Sequence, residues 1–121
     1  MAGLSPTQRT LALLREQGYN PWIVERFIQS KPFGKRVDLY NIIDIIALTP
    51  EGVMGVQSCG AAFSEHMRTL TETHKEESRA WLECPGTSLY LYGWRKLKKV
   101  KGKKAMVWTP RIQEITLEEL T

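Results

Sequence analysis

Asn41-Ile42-Ile43-Asp44-Ile45-Ile46-Ala47-Leu48 leads through Thr49-Pro50-Glu51 into Gly52-Val53-Met54-Gly55-Val56-Gln57-Ser58-Cys59, and one carboxylate stands inside the first apolar run. Each run is rich in β-branched or apolar side chains, and Pro50 and Gly52 punctuate the gap between them. The pair therefore reads as two strands joined by a short turn. Antiparallel pairing across that turn sets Asp44 beside Gln57 at one end of a sheet. An ionised carboxylate costs several kcal/mol to bury unless it is paired or binds a metal. Asp44 and Gln57 together offer oxygen atoms to a hard cation such as Mg2+ or Mn2+.

Working outward, Ser5-Pro6-Thr7-Gln8 carries the capping-box pattern, with Ser5 as N-cap and Pro6 at the first helical position. Leu11 and Leu14 supply an apolar face and Gly18 ends the helix. Residues 19–29 hold Trp22, Ile23, Val24, Phe27 and Ile28, a mix that suggests a strand, with a short helix over 24–28 as the alternative. Residues 30–36 contain Pro32 and Gly34 and read as a loop feeding a strand that begins near Val37. After Gly60, Phe63, Met67 and Leu70 fall at helical spacing. A second capping box, Thr73-His74-Lys75-Glu76, precedes Ala80, Trp81 and Leu82, so one kinked helix or two short ones fits.

Pro85-Gly86 breaks the helical pattern, and residues 88–94 resume a strand. A basic turn around Gly102 connects it to a last strand over 105–108, which Pro110 is expected to interrupt. Residues 113–121 form an acidic tail that suits a final strand or a frayed helix. The expected fold is one α/β domain over residues 1–121, with a mixed central sheet flanked by helices.

Composition narrows the functional classes. The chain has 121 residues, 42% hydrophobic and 25% charged, and no apolar run approaches the roughly 20 residues that span a bilayer. The first residues show no basic region followed by an apolar core, so a cytoplasmic location is expected. Cys59 and Cys84 are too isolated for a structural zinc site and read as reduced thiols. His66 and His74 lack the spacing of a helical zinc motif. No glycine-rich phosphate loop or nucleophilic triad is present.

The net charge is only +4, but Arg95, Lys96, Lys98, Lys99, Lys101, Lys103, Lys104 and Arg111 occur with no acidic residue among them. Such a stretch attracts a polyanion or forms a solvated hairpin tip. Trp22, Trp81, Trp94 and Trp108 read as core or sheet-covering residues.

On these residues the chain resembles the PD-(D/E)XK nuclease superfamily, closest in layout to archaeal Holliday-junction resolvases and small phage or bacterial relatives. The family layout is a first helix, a strand hairpin carrying Asp and then Glu or Gln, one residue, and Lys, and a helix that covers the sheet. Asp44 matches the Asp, and Gln57-Ser58-Cys59 stands where Glu-x-Lys is expected. The resemblance implies a restriction-endonuclease-like core, a Mg2+- or Mn2+-dependent DNA endonuclease with branched DNA as substrate, a homodimer, and a bacterial or phage-infected cell as its setting.

It also implies a ligand set of Asp44, Gln57, the Ser58 carbonyl and a further carboxylate. Glu25 is favoured for that place. Asp38, six residues before Asp44, would be about 20 Å away along a regular strand and unable to share the ion. Cys59 replaces the lysine that orients or deprotonates the attacking water, so Lys35, His66 or Arg68 is expected to supply that group. Gln8 stands where the resolvases typically have a helix Glu. Lys35, Arg36, Arg95, Lys96, Lys98, Lys99, Lys103 and Lys104 are the expected DNA-backbone contacts. A nuclease-derived DNA-binding or assembly protein without catalysis is the alternative reading.

Overall fold

The computed structural model describes residues 3–29, 34–99, 101–102 and 104–120. Helix α1 (Pro6–Glu16) starts where the Ser5 side chain accepts the Gln8 N–H. It stops in a Schellman arrangement: Gly18 takes a φ of 86°, its N–H donates to the Arg15 carbonyl, and the Tyr19 N–H reaches the Leu14 carbonyl. Strands β1 (Asn20–Ile23), β2 (Arg26–Ile28), β3 (Lys35–Val37), β4 (Ile45–Thr49) and β5 (Gly52–Cys59) follow. Helix α2 (Phe63–Arg68) passes through a π-helical turn (Thr69–Thr73) into α3 (Lys75–Glu83). Strands β6 (Thr87–Lys98) and β7 (Met106–Ile115) and a 3-10 turn (Leu117–Leu120) complete the chain.

The fold is α/β, with a mixed five-stranded sheet in the order β1-β4-β5-β6-β7 flanked by three helices, and β2 and β3 pair separately. All neighbours in the large sheet are antiparallel except β5 and β6, which are joined through the α2–α3 crossover. Alternation along the strands builds two cores. Ile45, Ala47, Met54, Val56 and Tyr92 pack with Leu11 and Leu14 of α1. Cys59, Leu89 and Leu91 pack with Ile42, Ile43, Phe63, Leu70 and Leu120 on the other face. A Cβ on Gly93 would run into the Phe63 ring, so glycine lets α2 lie close to the sheet.

Several sequence expectations change. The expected strand over 19–29 is two strands in different sheets, split at Val24 and Glu25, whose N–H groups both turn to the Asp44 carbonyl. The strand expected from Val37 onward is broken: residues 38–44 form a tight reversal and β4 begins only at Ile45. Tyr40 and Asn41 take left-handed φ values of 53° and 62°, and Leu39 and Ile43 exchange two backbone hydrogen bonds across the loop. The second capping box does not form. The chain continues from α2 as a π-helical turn, and His74 closes on Glu77 at 3.0 Å.

Pro110 does not interrupt the last strand. It pairs opposite Trp94 within β7, an edge strand whose outer side has no ladder to feed. The acidic tail divides between β7 and the 3-10 turn, with Ile115 and Leu120 buried. Trp22 is 73% exposed on edge strand β1, and Trp108 is exposed as well, so these two are not core residues. Trp94 is buried and donates its indole N–H to Thr10. Among the described residues, no helix is long and apolar enough to cross a membrane.

Candidate metal centre and basic arm

The reversal at 38–44 builds the site. Leu39 and Ile43 bridge antiparallel, so Asp38 and Asp44, one residue further out on each side, come together. The β2–β3 register pairs Arg26 with Val37, and its continuation sets Glu25 opposite Asp38. One carboxylate oxygen from each of Glu25, Asp38 and Asp44 lies within 4.8 Å of the others. The expectation that Asp38 is too distant from Asp44 to share an ion is thereby corrected: the intervening residues fold back instead of running as an extended strand.

Asp44 is 5% exposed. Its Oδ2 accepts the Ser58 backbone N–H at 3.1 Å, and its Oδ1 is buried with no hydrogen-bond partner among the described residues. Burial pushes its pKa up to about 8. The Ser58 hydrogen bond opposes that rise, while the charges of Asp38 and Glu25 add to it. Asp38 is also raised, first by burial and then by the charge and hydrogen bond of Glu25, while the charge of His66 acts in the opposite direction. Three crowded carboxyls with an orphaned buried oxygen fit a hard divalent cation, which would satisfy Oδ1 and offset the mutual repulsion.

Glu25 and Asp44 line a cleft of about 640 Å³ together with Ser5, Gln8, Arg26, Arg36 and Ser58, while Asp38 lines a neighbouring one with Arg26, Tyr40 and Asn41. The Arg36 guanidinium lies 3.2 Å from the Glu25 carboxylate. Nothing in the local sequence marks Arg26 for this site, and Asp38 is excluded from it only by the assumption of a regular strand, although Asn41 after Tyr40 is a signal for a left-handed turn.

The other expected site residues divide. Gln57 is 4% exposed, and its Nε2 donates to the Ile42 carbonyl at 2.9 Å. Its Oε1 lies 2.7 Å from His66 Nδ1. The amide expected to offer an oxygen to the ion thus spends both ends on protein partners. The Ser58 hydroxyl donates to Thr10 Oγ1 at 2.9 Å, and Thr10 in turn donates to the Pro6 carbonyl. Cys59 is buried in the core beside Phe63, and burial followed by the Asp44 charge pushes its thiol up. Lys35 lies on β3, beside Arg36. Arg68 is exposed and approaches Glu72 at 3.9 Å.

Strand β5 ends with Cys59 opposite Gly93, so residues 94–98 of β6 and 106–110 of β7 continue past it as a two-stranded arm. The arm projects roughly 16 Å from the sheet end that carries Asp44. It presents Arg95, Lys96 and Lys98, with Lys99 and Lys104 in the connection. Lys103 lies outside the described residues. Arg9 of α1 stacks on Trp108 at 4.1 Å from the ring centroid, Lys96 approaches the same ring at 5.3 Å, and Arg111 covers Phe63 at 4.1 Å. The aromatic that accompanies the cations is therefore Trp108.

Comparison of the chain with protein-family models, with curated proteins and with solved structures gives no match.

Proposed function

We propose that the protein is a divalent-metal-dependent endonuclease that hydrolyses DNA phosphodiester bonds. The observation that carries the reading is the convergence of the Glu25, Asp38 and Asp44 carboxylates, one of which, Asp44, also has a buried oxygen without a partner among the described residues. Glu25, Asp38 and Asp44 would hold Mg2+ or Mn2+, and the ion would supply charge stabilisation at phosphate and a more acidic water. Arg26 and Arg36 line the same cleft, where their guanidinium groups can hold non-bridging phosphate oxygens. The basic arm beside the cleft suits the flanking phosphates, and backbone contacts of this kind select shape rather than sequence. Branched DNA and a twofold pair of subunits belong to the proposal through the resolvase resemblance.

A second reading is favoured by Cys59, whose buried thiol stands at the position of the expected lysine. On that reading the protein binds DNA without cutting it. The deciding experiment offers labelled four-way junctions, flaps and linear duplexes to the purified protein with Mg2+, Mn2+ or EDTA, beside Asp44→Ala. Metal-dependent cleavage lost in Asp44→Ala supports the nuclease. Salt-sensitive binding without cleavage in any metal supports the second reading.

A further inference from the structure

Phe27 is an aromatic side chain that the core does not use. It is 59% exposed, and among the described residues it belongs to neither hydrophobic core. Its ring lies against Gly34, where an added Cβ would collide with it. The register of the β2–β3 ribbon fixes the direction it faces. Phe27 stands directly opposite Arg36, so the two share a face. The Arg36 guanidinium reaches diagonally to Glu25 at 3.2 Å, which puts Glu25 on that face as well. Glu25 and Phe27, two positions apart, are separated by roughly 7 Å along the ribbon. One face thus carries a carboxylate of the proposed metal site and, one step further, a guanidinium beside an exposed ring. Glu25, Phe27, Arg36 and Asp44 all line the same cleft, and Ile23, also exposed, extends its apolar wall.

Resting on the nuclease reading above, we propose that the cleft takes an unpaired DNA strand, with the scissile phosphate at the carboxylates, a neighbouring phosphate on Arg36 and a base stacked on Phe27. In a duplex both faces of a base are covered by its neighbours, and the bases turn away from whatever grips the phosphates. A ring exposed beside phosphate-binding groups therefore serves a base that has left the stack. Such stacking is tolerant of sequence, because every base offers a π face. Among branched molecules the site selects flaps and splayed arms over four-way junctions with all bases paired. Trp108 does not offer the same platform, since Arg9 and Lys96 already lie over its ring.

The test has a binding and a cleavage arm, both on the full chain. Fluorescence anisotropy in Ca2+ measures the affinity for a labelled single-stranded oligonucleotide and for the same sequence fully paired. Phe27→Leu, which keeps an apolar side chain without the ring, should bind the single strand about tenfold more weakly, while Phe27→Trp should bind it at least as well as wild type. Affinity for the paired duplex and Tm in EDTA should be the same in all three proteins. In Mn2+ the wild type should cut single strands and flaps faster than paired duplex, and Phe27→Leu should lose that preference through a higher KM. A Phe27→Leu protein that binds the single strand as tightly as wild type overturns the proposal, and so does a wild type that cuts paired duplex as fast as flaps, the nuclease standing in both cases where cleavage is seen. Single-strand binding that depends on the Phe27 ring, with no cleavage in Mg2+ or Mn2+, removes the nuclease reading and supports the stacking site.

Discussion

The Ser58 backbone N–H holds one oxygen of Asp44 at 3.1 Å while the other oxygen of the same carboxylate is buried with no partner among the described residues. A half-satisfied carboxyl of this kind prefers to stay protonated, and burial accordingly raises Asp44 to about 8. Because the folded value exceeds the unfolded one, the folded chain binds the extra proton between about pH 4 and pH 8. The metal-free protein should then lose stability as pH rises through that window. Each pH unit between the two values corresponds to about 1.4 kcal/mol, so the loss amounts to a few kcal/mol.

Scanning calorimetry in EDTA should show Tm falling from about pH 5 to about pH 8, and Asp44→Asn should flatten the curve and raise Tm at the upper end. Saturating Mn2+ at that upper pH should recover part of the lost stability, about 2.7 kcal/mol at a hundredfold excess over Kd. A wild-type Tm that rises across the window, or is indifferent to Mn2+, would contradict the carboxylate site.

Thr10 ties α1 to the strands beneath the site. Its hydroxyl is fully buried, donates to the Pro6 carbonyl, and accepts from Ser58 Oγ and Trp94 Nε1, each at 2.9 Å. Thr10→Val keeps the shape and strands two buried donors, at about 1–3 kcal/mol for each unsatisfied group. Denaturant unfolding should show a lower midpoint with an unchanged slope, corresponding to about 2–6 kcal/mol in all. A change below about 0.5 kcal/mol would mean that the three hydroxyl hydrogen bonds do not hold in solution.

Much of this architecture is legible in local chemistry. The hairpin register from Thr49 and Gly52 back to Ile45 and Val56 follows from two apolar runs and one turn. The α1 boundaries follow from Ser5, Pro6 and Gly18. Asp44 stands out because it interrupts an apolar run. Asp38 is hidden for a physical reason: its approach to Asp44 depends on two successive left-handed residues, and Tyr40 has little intrinsic preference for that conformation. Its place is stabilised by the Leu39–Ile43 hydrogen bonds, a tertiary outcome of burying Ile42 and Ile43. The two roles of Gln57 are hidden likewise, since its partners lie 15 residues before it and nine after it in sequence. Pro110 misleads because the prohibition on proline holds for central strands, and β7 is an edge.

The arm can be separated from the carboxylates by charge removal. Lys96, Lys98, Lys99 and Lys104 flank a ribbon held to α1 through the Arg9–Trp108 stack and the Trp94–Thr10 hydrogen bond, so neutralising them together should leave the fold intact. With all four changed to Gln, the salt dependence of DNA affinity should flatten by about 0.9 in logarithmic slope for each phosphate that is no longer neutralised. Calorimetric Mn2+ affinity should not move. Fluorescence anisotropy over a salt series measures the first quantity, and an unchanged slope would exclude the arm from the DNA interface.

Arg36 carries the sharpest contrast between stability and function. Its guanidinium is 77% exposed and 3.2 Å from Glu25, so the pair contributes at most about 1 kcal/mol to folding. The same positive charge competes with a divalent ion for the Glu25 carboxylate and attracts phosphate into the cleft. Arg36→Ala should therefore bind Mn2+ more tightly, by a few-fold in calorimetric Kd, while DNA cleavage shows a higher KM. Tm in EDTA should change little. Weaker Mn2+ binding in this variant would mean that Arg36 organises the carboxylates instead of competing for them, and that Glu25 depends on it to face Asp38 and Asp44.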